Sequence, residues 1–562
     1  MLAGFSPVLG MKQYVLFIAG LLALAGPARA QAPAWQTAVL AGNGVSTVGI
    51  TFVKATAADA AGNVYVAGTL EGTVSFSGIT LTSAGSSDGF VAKWNRTSGT
   101  FVWAQRLGGG GQDDVTALAV SGTAVYLTGY FNATAIFGST LLTSAGFTDM
   151  FVAKLTDAGL SASFTWAARG GGGGFDQGNA IALSGISVYV SGYFSNSASF
   201  GTTNLTSAGG TDAFVAKYGD AGTAVSFAWA LRGGGPNEDS ASALAVSGNS
   251  VYAAGFFVGA ATFGSTALNT FNNTSAFFVT KLADAGATAG FTWTQQGAST
   301  SGNVVTGLAV SGANVYVAGS FNGALGLGSV VLTSAGLTDV FVAKLADAGA
   351  TSNFGWAQRA GGAGLDRAVA LVANGGTLYC NGNFAGVVAF GSTTLSAVGG
   401  TNADVFVTRL TDAGSSGSFN WAQQAGGPSY DYGQALALAS TGTLYVGGYV
   451  TPPAAFGSLT LASPFGSSTG FLASLQVTPL AAAEPVLPAA FTLFPNPVAT
   501  GGTVRVPGAT AATELLLLDA LGQTVTRGTG NALGLTGVAP GLYGLRATET
   551  GSPARVARLL VE

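Results

Sequence analysis

A tryptophan recurs in this chain at an almost constant spacing of 63 to 65 residues. The flanking residues recur with it, as in Phe164-Thr-Trp-Ala-Ala-Arg and Phe354-Gly-Trp-Ala-Gln-Arg. A fixed period of this length indicates one supersecondary unit copied along the chain, so the fold follows from the fold of that unit. The recurring residues are Trp103, Trp166, Trp229, Trp293, Trp356 and Trp421, and Trp35 precedes the set by 68 residues.

Each repeat contains four short apolar segments. The first is rich in small residues (Val115-Thr-Ala-Leu-Ala-Val), the second carries a tyrosine (Ala124-Val-Tyr-Leu-Thr-Gly), the third begins with phenylalanine (Phe151-Val-Ala-Lys-Leu), and the fourth carries the tryptophan. Their length, their β-branched and aromatic residues and their glycine-rich flanks predict strands. Asp-Ala-Gly follows the third segment at Asp157, Asp284, Asp347 and Asp412, which predicts turns in which the aspartate is a turn former.

Four antiparallel strands per repeat, with no predicted helix between them, indicate an all-β fold of the β-propeller type. The tyrosine-bearing second segment occurs seven times, which predicts a seven-bladed β-propeller with four-stranded blades. The last repeat lacks a tryptophan-bearing strand, whereas the Trp35 segment precedes the first repeat. We therefore expect residues 33–41 to form the outer strand of the blade built from residues 433–476. This N-terminal strand would close the last blade and remove exposed sheet edges.

The repeats resemble a known bacterial family. Asp212-Ala-Phe-Val-Ala-Lys-Tyr and Gly62-Asn-Val-Tyr-Val-Ala-Gly are similar to the consensus of the SBBP-type β-propeller repeat. The resemblance covers residues 34–476. It implies a propeller fold for that region and indicates almost nothing about activity.

The N-terminal residues have the pattern of an export signal. Lys12 precedes an apolar run over residues 14–25, and Ala28-Arg29-Ala30 matches the small-x-small cleavage pattern. Residues 1–30 are therefore predicted to be a signal peptide, with residues 31–476 forming the propeller. The apolar run is too short to span a bilayer, so no transmembrane segment is expected after its removal. A lone Cys380 provides no disulfide framework and occupies a small apolar core position.

The repeat ends after Val477. Residues 477–490 are rich in alanine and proline and predict a semi-rigid linker. Residues 491–562 contain short apolar runs between proline and glycine turns, which predict a small C-terminal β-sandwich. Phe494-Pro-Asn-Pro, Leu521-Gly-Gln and Pro540-Gly-Leu-Tyr follow one another in this segment.

That order is similar to the C-terminal sorting domain of type IX secretion cargo. The resemblance implies the type IX secretion machinery as a partner. It also implies passage across the outer membrane, followed by release or attachment at the cell surface.

Composition excludes several classes of function. The chain has no histidine, which removes Ser-His-Asp and Cys-His nucleophile systems and imidazole-based metal sites. Charged residues are 8% of the chain and the net charge is −4 with no basic block, so no nucleic-acid partner is expected. No catalytic residue and no cofactor is predicted. Glycosidase chemistry remains an alternative because it needs only two carboxylates.

Two sets of aspartates recur in register. One follows each tryptophan by ten residues and the other precedes the third segment; up-and-down topology places both at one face. Within one blade they would lie on strands two spacings, about 10 Å, apart, which is too far for one Ca²⁺. A repeated residue indicates a repeated structural role, with a cation or glycan site as the alternative. The sets are Asp113, Asp176, Asp239, Asn303, Asp366 and Asp431, and Asp88, Asp149, Asp212, Asp339 and Asp404.

Differences between repeats indicate where a ligand would bind, because binding sites evolve on loops held by a rigid scaffold. The insertions between second and third segments lie on the same face. Loops that differ between repeats combine aromatic and carboxylate residues, which suits a sugar or peptide ligand, although loop packing is the alternative. The candidate ligand-binding residues are Phe175, Asp176, Asn237, Glu238, Asp239, Tyr430, Asp431 and Tyr432.

These observations favour a monomeric, secreted or cell-surface β-propeller that acts as a binding or adhesion module for a surface glycan or protein. One alternative is a carbohydrate-active lyase or hydrolase that uses carboxylates on the loop face. Another is a structural component of a surface layer. An enzyme is the less favoured interpretation because the repeats are nearly identical and carry little charge.

Overall fold

The computed structural model describes residues 31–45, 49–299, 301–463, 466–477, 493–519, 523–549 and 555–562. The predicted signal peptide lies outside these ranges, as does the predicted linker except for Val477. The chain divides into two compact units, residues 1–477 and 478–562. Both are all-β, and the described part of the chain contains no α-helix, only a 3₁₀ turn at Phe271–Asn273. Accordingly, no helix in these ranges is long and apolar enough to cross a membrane.

Within its described residues, the first unit contains seven groups of four antiparallel strands, paired in the order first, second, third, fourth. The first strands are Ile50–Ala58, Asp113–Ser121, Gln177–Ser184, Ser240–Ser247, Asn303–Ser311, Arg367–Asn374 and Tyr432–Leu438. The second strands are Val64–Glu71, Ala124–Phe131, Ser187–Phe200, Ser250–Val258, Asn314–Phe321, Thr377–Ala385 and Thr443–Val450. The third strands are Asp88–Asn95, Asp149–Asp157, Thr203–Asp220, Ser275–Asp284, Asp339–Asp347, Ala403–Asp412 and Thr469–Gln476. The fourth strands are Thr100–Gly109, Ala162–Gly172, Val225–Gly234, Ala289–Gln296, Ser352–Gly362, Gly417–Ala425 and, for the seventh group, Trp35–Ala41.

The seventh group is built from both ends of the repeat region. Its fourth strand, Trp35–Ala41, runs antiparallel to Thr469–Gln476, with Leu40 opposite Phe471. This is the strand pairing that the sequence predicts. The Trp35 ring lies edge-on to Phe456 at 5.1 Å, and its Nε1 donates to the carbonyl of Gln424 in the sixth group. The pairing therefore contributes both backbone bonds and apolar contact.

The insertions between second and third strands form hairpins that join neighbouring groups. In the second group, Thr134–Phe137 pairs with Thr140–Thr143 and also with the end of the preceding fourth strand at Gly108 and Gly109. The insertions expected to be ligand-binding loops are thus partly regular structure. Equivalent hairpin strands are Thr73–Phe76 with Ile79–Thr82, Ala260–Phe263 with Thr266–Asn269, Ala324–Leu327 with Val330–Thr333, Val387–Phe390 with Thr393–Ser396, and Ala454–Phe456 with Leu459–Leu461. The third group forms its hairpin from extensions of its second and third strands. Asn43–Gly44 pairs with the hairpin of the first group, and Ala298–Ser299 with that of the fifth.

Successive first strands lie beside one another, and the seventh lies beside the first. Every first strand has a β-bulge at the same place, where one extra residue interrupts the pairing with the second strand. Thr116 Oγ1 donates to the carbonyl of Gly178 at 2.5 Å, and Thr306 Oγ1 donates to that of Ala368 at 2.8 Å. These bulges therefore link adjacent groups. The extra residues are Lys54, Thr116, Asn179, Ser242, Thr306, Val369 and Gln434.

Side chains on both faces of the groups are buried, because each group packs against the next. One apolar cluster, for example, joins Tyr252 and Phe277 of the fourth group to Val317 and Phe341 of the fifth. This two-sided burial explains why the strands carry so few charges. Cys380 lies fully buried in such a cluster, as predicted, and burial raises the pKa of its thiol to about 12.

The recurring tryptophan takes part in a hydrogen-bond cluster between groups, here called the aspartate clamp. Asp284, at the end of a third strand, accepts hydrogen bonds from three side chains of the preceding group. The donors are Lys217 Nζ at 2.6 Å, Tyr189 Oη at 2.6 Å and Trp229 Nε1 at 3.0 Å. Its Oδ1 also accepts from the backbone N–H of Gly286, so the predicted role as a turn former is confirmed. The sequence does not predict, however, that this aspartate contacts the neighbouring group.

The clamp occurs at five junctions. The accepting aspartates are Asp157, Asp220, Asp284, Asp347 and Asp412; their donors are Tyr65, Lys93 and Trp103; Tyr126, Lys154 and Trp166; Tyr189, Lys217 and Trp229; Tyr252, Lys281 and Trp293; and Tyr316, Lys344 and Trp356. Because each bond links a strand to the next repeat, the tryptophan, lysine and tyrosine must recur with the same period.

The two junctions of the seventh group lack the clamp. The equivalent position, six residues after the phenylalanine of the third strand, holds Val477 in the seventh group and Arg96 in the first. Arg409 replaces the donor lysine in the sixth group, and its buried Nε has no partner among the described residues. Tyr445 donates instead to the carbonyl of Gly62. The seventh group therefore contacts its neighbours without the buried ion pair of the clamp.

The second unit contains two antiparallel sheets around one apolar cluster. Thr503–Arg505 pairs with Ala532–Gly534, and a four-stranded sheet has the order Thr524–Thr529, Glu514–Leu518, Gly541–Thr548, Arg555–Val561. Val504, Leu517, Leu545 and Leu559 are among the residues of the cluster. The Leu521-Gly-Gln turn lies outside the described residues except for Gln523.

Deletion of residues 31–42 tests the closing strand. We expect the melting temperature of the first unit to fall by more than about 5 °C, because the deletion removes six paired residues and the buried Trp35 ring. Differential scanning calorimetry measures the change. The control is Gln36→Ala, whose exposed side chain bonds only to a local carbonyl. An unchanged melting temperature after the deletion would contradict the closure.

Replacement of a clamp acid should be strongly destabilising. Asp284→Ala leaves the nearly buried Lys217 ammonium without its carboxylate. We expect the free energy of unfolding to fall by about 3–5 kcal/mol, as for other broken buried ion pairs. Urea unfolding measures this. Asn249→Ala, at an exposed turn in the same group, is the control; equal effects of the two substitutions would contradict the clamp.

Candidate ligand-binding site

The aspartates that recur in register form buried pairs between groups. Asp149 begins the third strand of the second group, and Asp176 directly precedes the first strand of the third group. Both are fully buried. A Cβ at Gly171 would lie 2.7 Å from Asp149 Oδ1 and 2.8 Å from Asp176 Oδ2, so the two carboxyls meet at this glycine, whose φ of +142° favours glycine. The other pairs are Asp88 with Asp113, Asp212 with Asp239, Asp339 with Asp366, and Asp404 with Asp431.

The expected separation of about 10 Å between the two sets is therefore wrong. It assumed partners on the first and third strands of one blade, whereas the partners belong to neighbouring groups. Backbone bonds hold them together: the N–H of Asp176 donates to the carbonyl of Thr148 at 2.9 Å, next to Asp149. Among the described residues, no group of three or more acidic, cysteine or histidine side chains is arranged to hold a metal ion.

Each pair has the environment of a shared proton. Oδ2 of Asp149 accepts from Arg169 and from the N–H of Ala145, but its buried Oδ1 has no donor in the described structure other than a protonated partner. Burial raises the pKa of Asp176 to about 7, although the backbone N–H of Gly172 lowers it. Burial likewise raises the pKa to about 7 for Asp113, Asp239 and Asp431, and to about 6 for Asp366 and Asp404.

At the two junctions without such a pair, both acids are replaced by residues without a carboxyl group. Asn303 stands opposite Ala276 between the fourth and fifth groups, and Thr51 stands opposite Thr469 between the seventh and first. Thr51 Oγ1 donates to the carbonyl of Ala41 and accepts from the N–H of Gly470. A lone buried carboxylate is thus avoided at both junctions. This supports a structural role for the recurring acids.

Three of the predicted ligand-binding residues, Asp176, Asp239 and Asp431, belong to these buried pairs. Their exposed fraction is 0%, so a ligand outside the protein does not reach their carboxylates. The other predicted residues surround them in the loops. Phe175 is 50% exposed and stacks on Phe147 at 4.7 Å.

The three predicted loops do not form one site. Asn237 is held by a hydrogen bond from its Nδ2 to the carbonyl of Val258, beside the exposed Glu238. Tyr430 is 54% exposed and stacks on Tyr432 at 6.3 Å. Each loop belongs to a different junction, and in the described part of the chain no hydrogen bond or ring contact joins one loop to another.

A more variable position directly follows each recurring acid or its replacement. It lies at or near the start of the first strand, two residues before the bulged residue, and holds a different residue type in every group. The residues are Phe52, Asp114, Gln177, Ser240, Val304, Arg367 and Tyr432. Only Tyr432 is among the residues predicted from the sequence. A recurring framework around varying positions is the pattern of a binding surface on a rigid scaffold.

Two cavities lie along the first strands. One, of about 540 Å³, is lined by all seven bulged residues. The other, of about 680 Å³, is here called the mouth pocket, and it shares Thr306, Val369 and Gln434 with the first. The polar and aromatic residues that line the mouth pocket include Asn322, Arg367, Asn383, Tyr432, Gln434 and Tyr449.

Charge is unevenly distributed among the variable residues. Asp114 is neutralised by an ion pair with Lys54 and also accepts from Thr69. Arg367 is exposed, and no carboxylate of the described residues lies within ion-pair distance of it. The mouth pocket therefore carries one uncompensated positive charge.

Aromatic rings form one wall of the mouth pocket. Tyr432 and Tyr449 lie with ring centroids 5.0 Å apart, and Phe52 meets Tyr449 edge-on at 4.7 Å. Asn383 adds a polar group to the pocket. Its Oδ1 accepts from the N–H of Gly433, while its Nδ2 has no partner in the described structure. A ring-shaped ligand with hydroxyl or carboxylate groups suits this combination.

Comparison with known proteins leaves the family unassigned. No family model and no curated protein matches the chain. Solved structures that it is similar to include PorZ, a bacterial surface component of the type-IX secretion system of Porphyromonas gingivalis, at 10% identity over 94% of this chain and 100% of that one, with a TM-score of 0.15. Another is the extracellular domain of the putative hybrid two component system BT3049 from B. thetaiotaomicron, at 9% identity over 91% of this chain and 98% of that one, also with a TM-score of 0.15. At such TM-scores neither likeness carries a conclusion about fold or function.

The buried acid pairs predict that stability falls as pH rises from about 4 to about 7. In this window the folded chain binds more protons than the unfolded chain, because the folded pKa values lie above the ordinary value near 4. Urea unfolding at pH 4.5 and pH 7.5 measures the difference. The clamp acids act in the opposite direction but below about pH 4, since their pKa values are lowered.

Asp149→Asn is the matched variant. Its amide nitrogen would replace Oδ1 and donate to Asp176 at every pH, so the decline in stability between the two pH values should be smaller than in the wild type. Thr156→Val, at an exposed position of the same strand, is the control and should retain the full decline. A wild-type stability that rises across this window would contradict the shared protons.

Proposed function

We propose that residues 31–476 form a seven-bladed β-propeller that acts as a ligand-binding module, with residues 33–41 closing the last blade. The succession of contacts between first strands, from the first group through the seventh and back, supports a closed ring. A cavity lined by one bulged residue from every group further supports a common axis. The mouth pocket would then be the opening of that axis.

The proposed location is the cell surface or the medium. The signal-peptide pattern of residues 1–30 supports export, and the similarity of residues 491–562 to type IX sorting domains supports routing by the type IX machinery. The separate compact unit after Val477, with its own apolar core, supports an independent sorting domain joined by the linker of residues 477–490.

The observation that carries the binding role is the mouth pocket itself. Seven repeats share one framework yet differ at the variable position, and three of the variable residues, Val304, Arg367 and Tyr432, line this pocket. A carboxylate-dependent lyase or hydrolase would need accessible acids, and the recurring acid pairs are fully buried. Binding therefore agrees better with the geometry than catalysis.

Arrays of glycans and peptides, probed with the chain from Gln31 onward, test the proposal. We expect binding that Tyr432→Ala weakens at least about tenfold, because a lost aromatic contact costs about 0.5–1.5 kcal/mol beyond its buried area. Leu160→Ala, an exposed residue in a turn after a third strand, is the control. Size-exclusion chromatography on the same sample is expected to give a monomer. Self-association without any ligand signal would favour a surface-layer component instead.

A further inference from the structure

We infer that the mouth pocket binds a carboxylated sugar unit of an acidic polysaccharide, with Arg367 binding the carboxylate and Tyr432 contacting the sugar ring. This inference rests on the proposed binding function and adds the ligand class. It is carried by the unpaired guanidinium beside an aromatic wall in the same cavity.

The position of Arg367 explains the preference for an anion. It is the variable residue of the sixth group, and its exposed side chain lines the pocket without an acidic partner among the described residues. By contrast, the arginines that stand three residues after a recurring tryptophan, such as Arg169 and Arg359, are paired with Asp149 and Asp339. A free, planar guanidinium binds a carboxylate through two parallel hydrogen bonds.

The remaining lining indicates a sugar. Tyr432 and Tyr449 supply aromatic surface, while Asn322, Asn383 and Gln434 supply amide groups for hydroxyls. Asn383 Nδ2 is free to donate, because only its Oδ1 is used by the protein. Neutral hydrogen-bonding groups around aromatic surface suit a ring that has an apolar face and hydroxyl edges.

A peptide strand fits this region less well. Peptides commonly bind by adding a strand to a free sheet edge. Here the first strands are interrupted by bulges, and Thr306, Val369 and Gln434 at those bulges line the pocket. A bulge breaks the regular ladder of backbone groups that such a strand would use.

Isothermal titration of the chain from Gln31 onward with tetragalacturonic acid tests the inference. Two comparison ligands separate charge from shape: the fully methyl-esterified tetramer and sodium acetate. We expect the acid to bind, the ester to bind at least about tenfold more weakly, and acetate at equal carboxylate concentration not to compete. Arg367→Gln should weaken binding of the acid at least tenfold and abolish the difference between acid and ester. Arg367→Lys should fall between Arg367→Gln and the wild type.

Arg96→Gln is the matched control, since Arg96 is an exposed arginine near the turn between third and fourth strands, at the opposite end of the strands. It should leave affinity unchanged, and melting temperatures should be equal for all variants. Equal binding of acid and ester, or an Arg367→Gln variant with wild-type affinity, would overturn the inference. Competition by acetate would overturn the role of the sugar ring. If the arrays show binding of a different ligand, and Tyr432→Ala abolishes that binding, the inferred ligand class is wrong while the binding function holds. If the arrays show no bound ligand, the binding function itself is wrong.

Discussion

The architecture of the first unit depends on a carboxylate that five of the seven repeats offer to the repeat before them. At five junctions this acid accepts bonds from a lysine, a tyrosine and a tryptophan, as Asp284 does from Lys217, Tyr189 and Trp229. Apolar packing between groups is non-directional and would tolerate sliding, whereas three donors converging on one acid fix the register of neighbours. Burial raises the pKa of the Asp284 carboxyl, but these hydrogen bonds outweigh it and lower the pKa, which keeps the acid ionised.

The sequence predicts the strands, their order and the pairing of residues 35–41 with 469–476, because periodicity, turn residues and a missing strand are all local signals. It does not predict what crosses a junction. The Asp-Ala-Gly pattern predicts a turn, but it does not reveal that the aspartate also accepts bonds from the preceding group. The sequence does not predict the closeness of Asp149 and Asp176 for the same reason, since it follows from how adjacent groups pack.

For the candidate site, too, the sequence predicts one part and not the other. The sequence locates loops that differ between repeats, and it includes Tyr432, but it favours conspicuous acids such as Asp176 and Asp431. Those acids are buried and position the loop backbone. The variable position next to these acids, which Arg367 occupies in the sixth group, differs in every repeat, and the sequence alone shows this variation. Its meaning depends on the cavity formed between first strands, which no single repeat contains.

The seventh group has a consequence for how the chain reaches its final state. Its outer strand comes from residues 35–41 and the rest from residues 432–476, about four hundred residues later in synthesis. The long loop closed by this contact makes it entropically the most expensive pairing in the unit. The Trp35–Ala41 strand must therefore wait, unpaired, until the seventh group has been synthesised. Because neither junction of this group has a clamp, the same seam is where an assembled chain should come apart first.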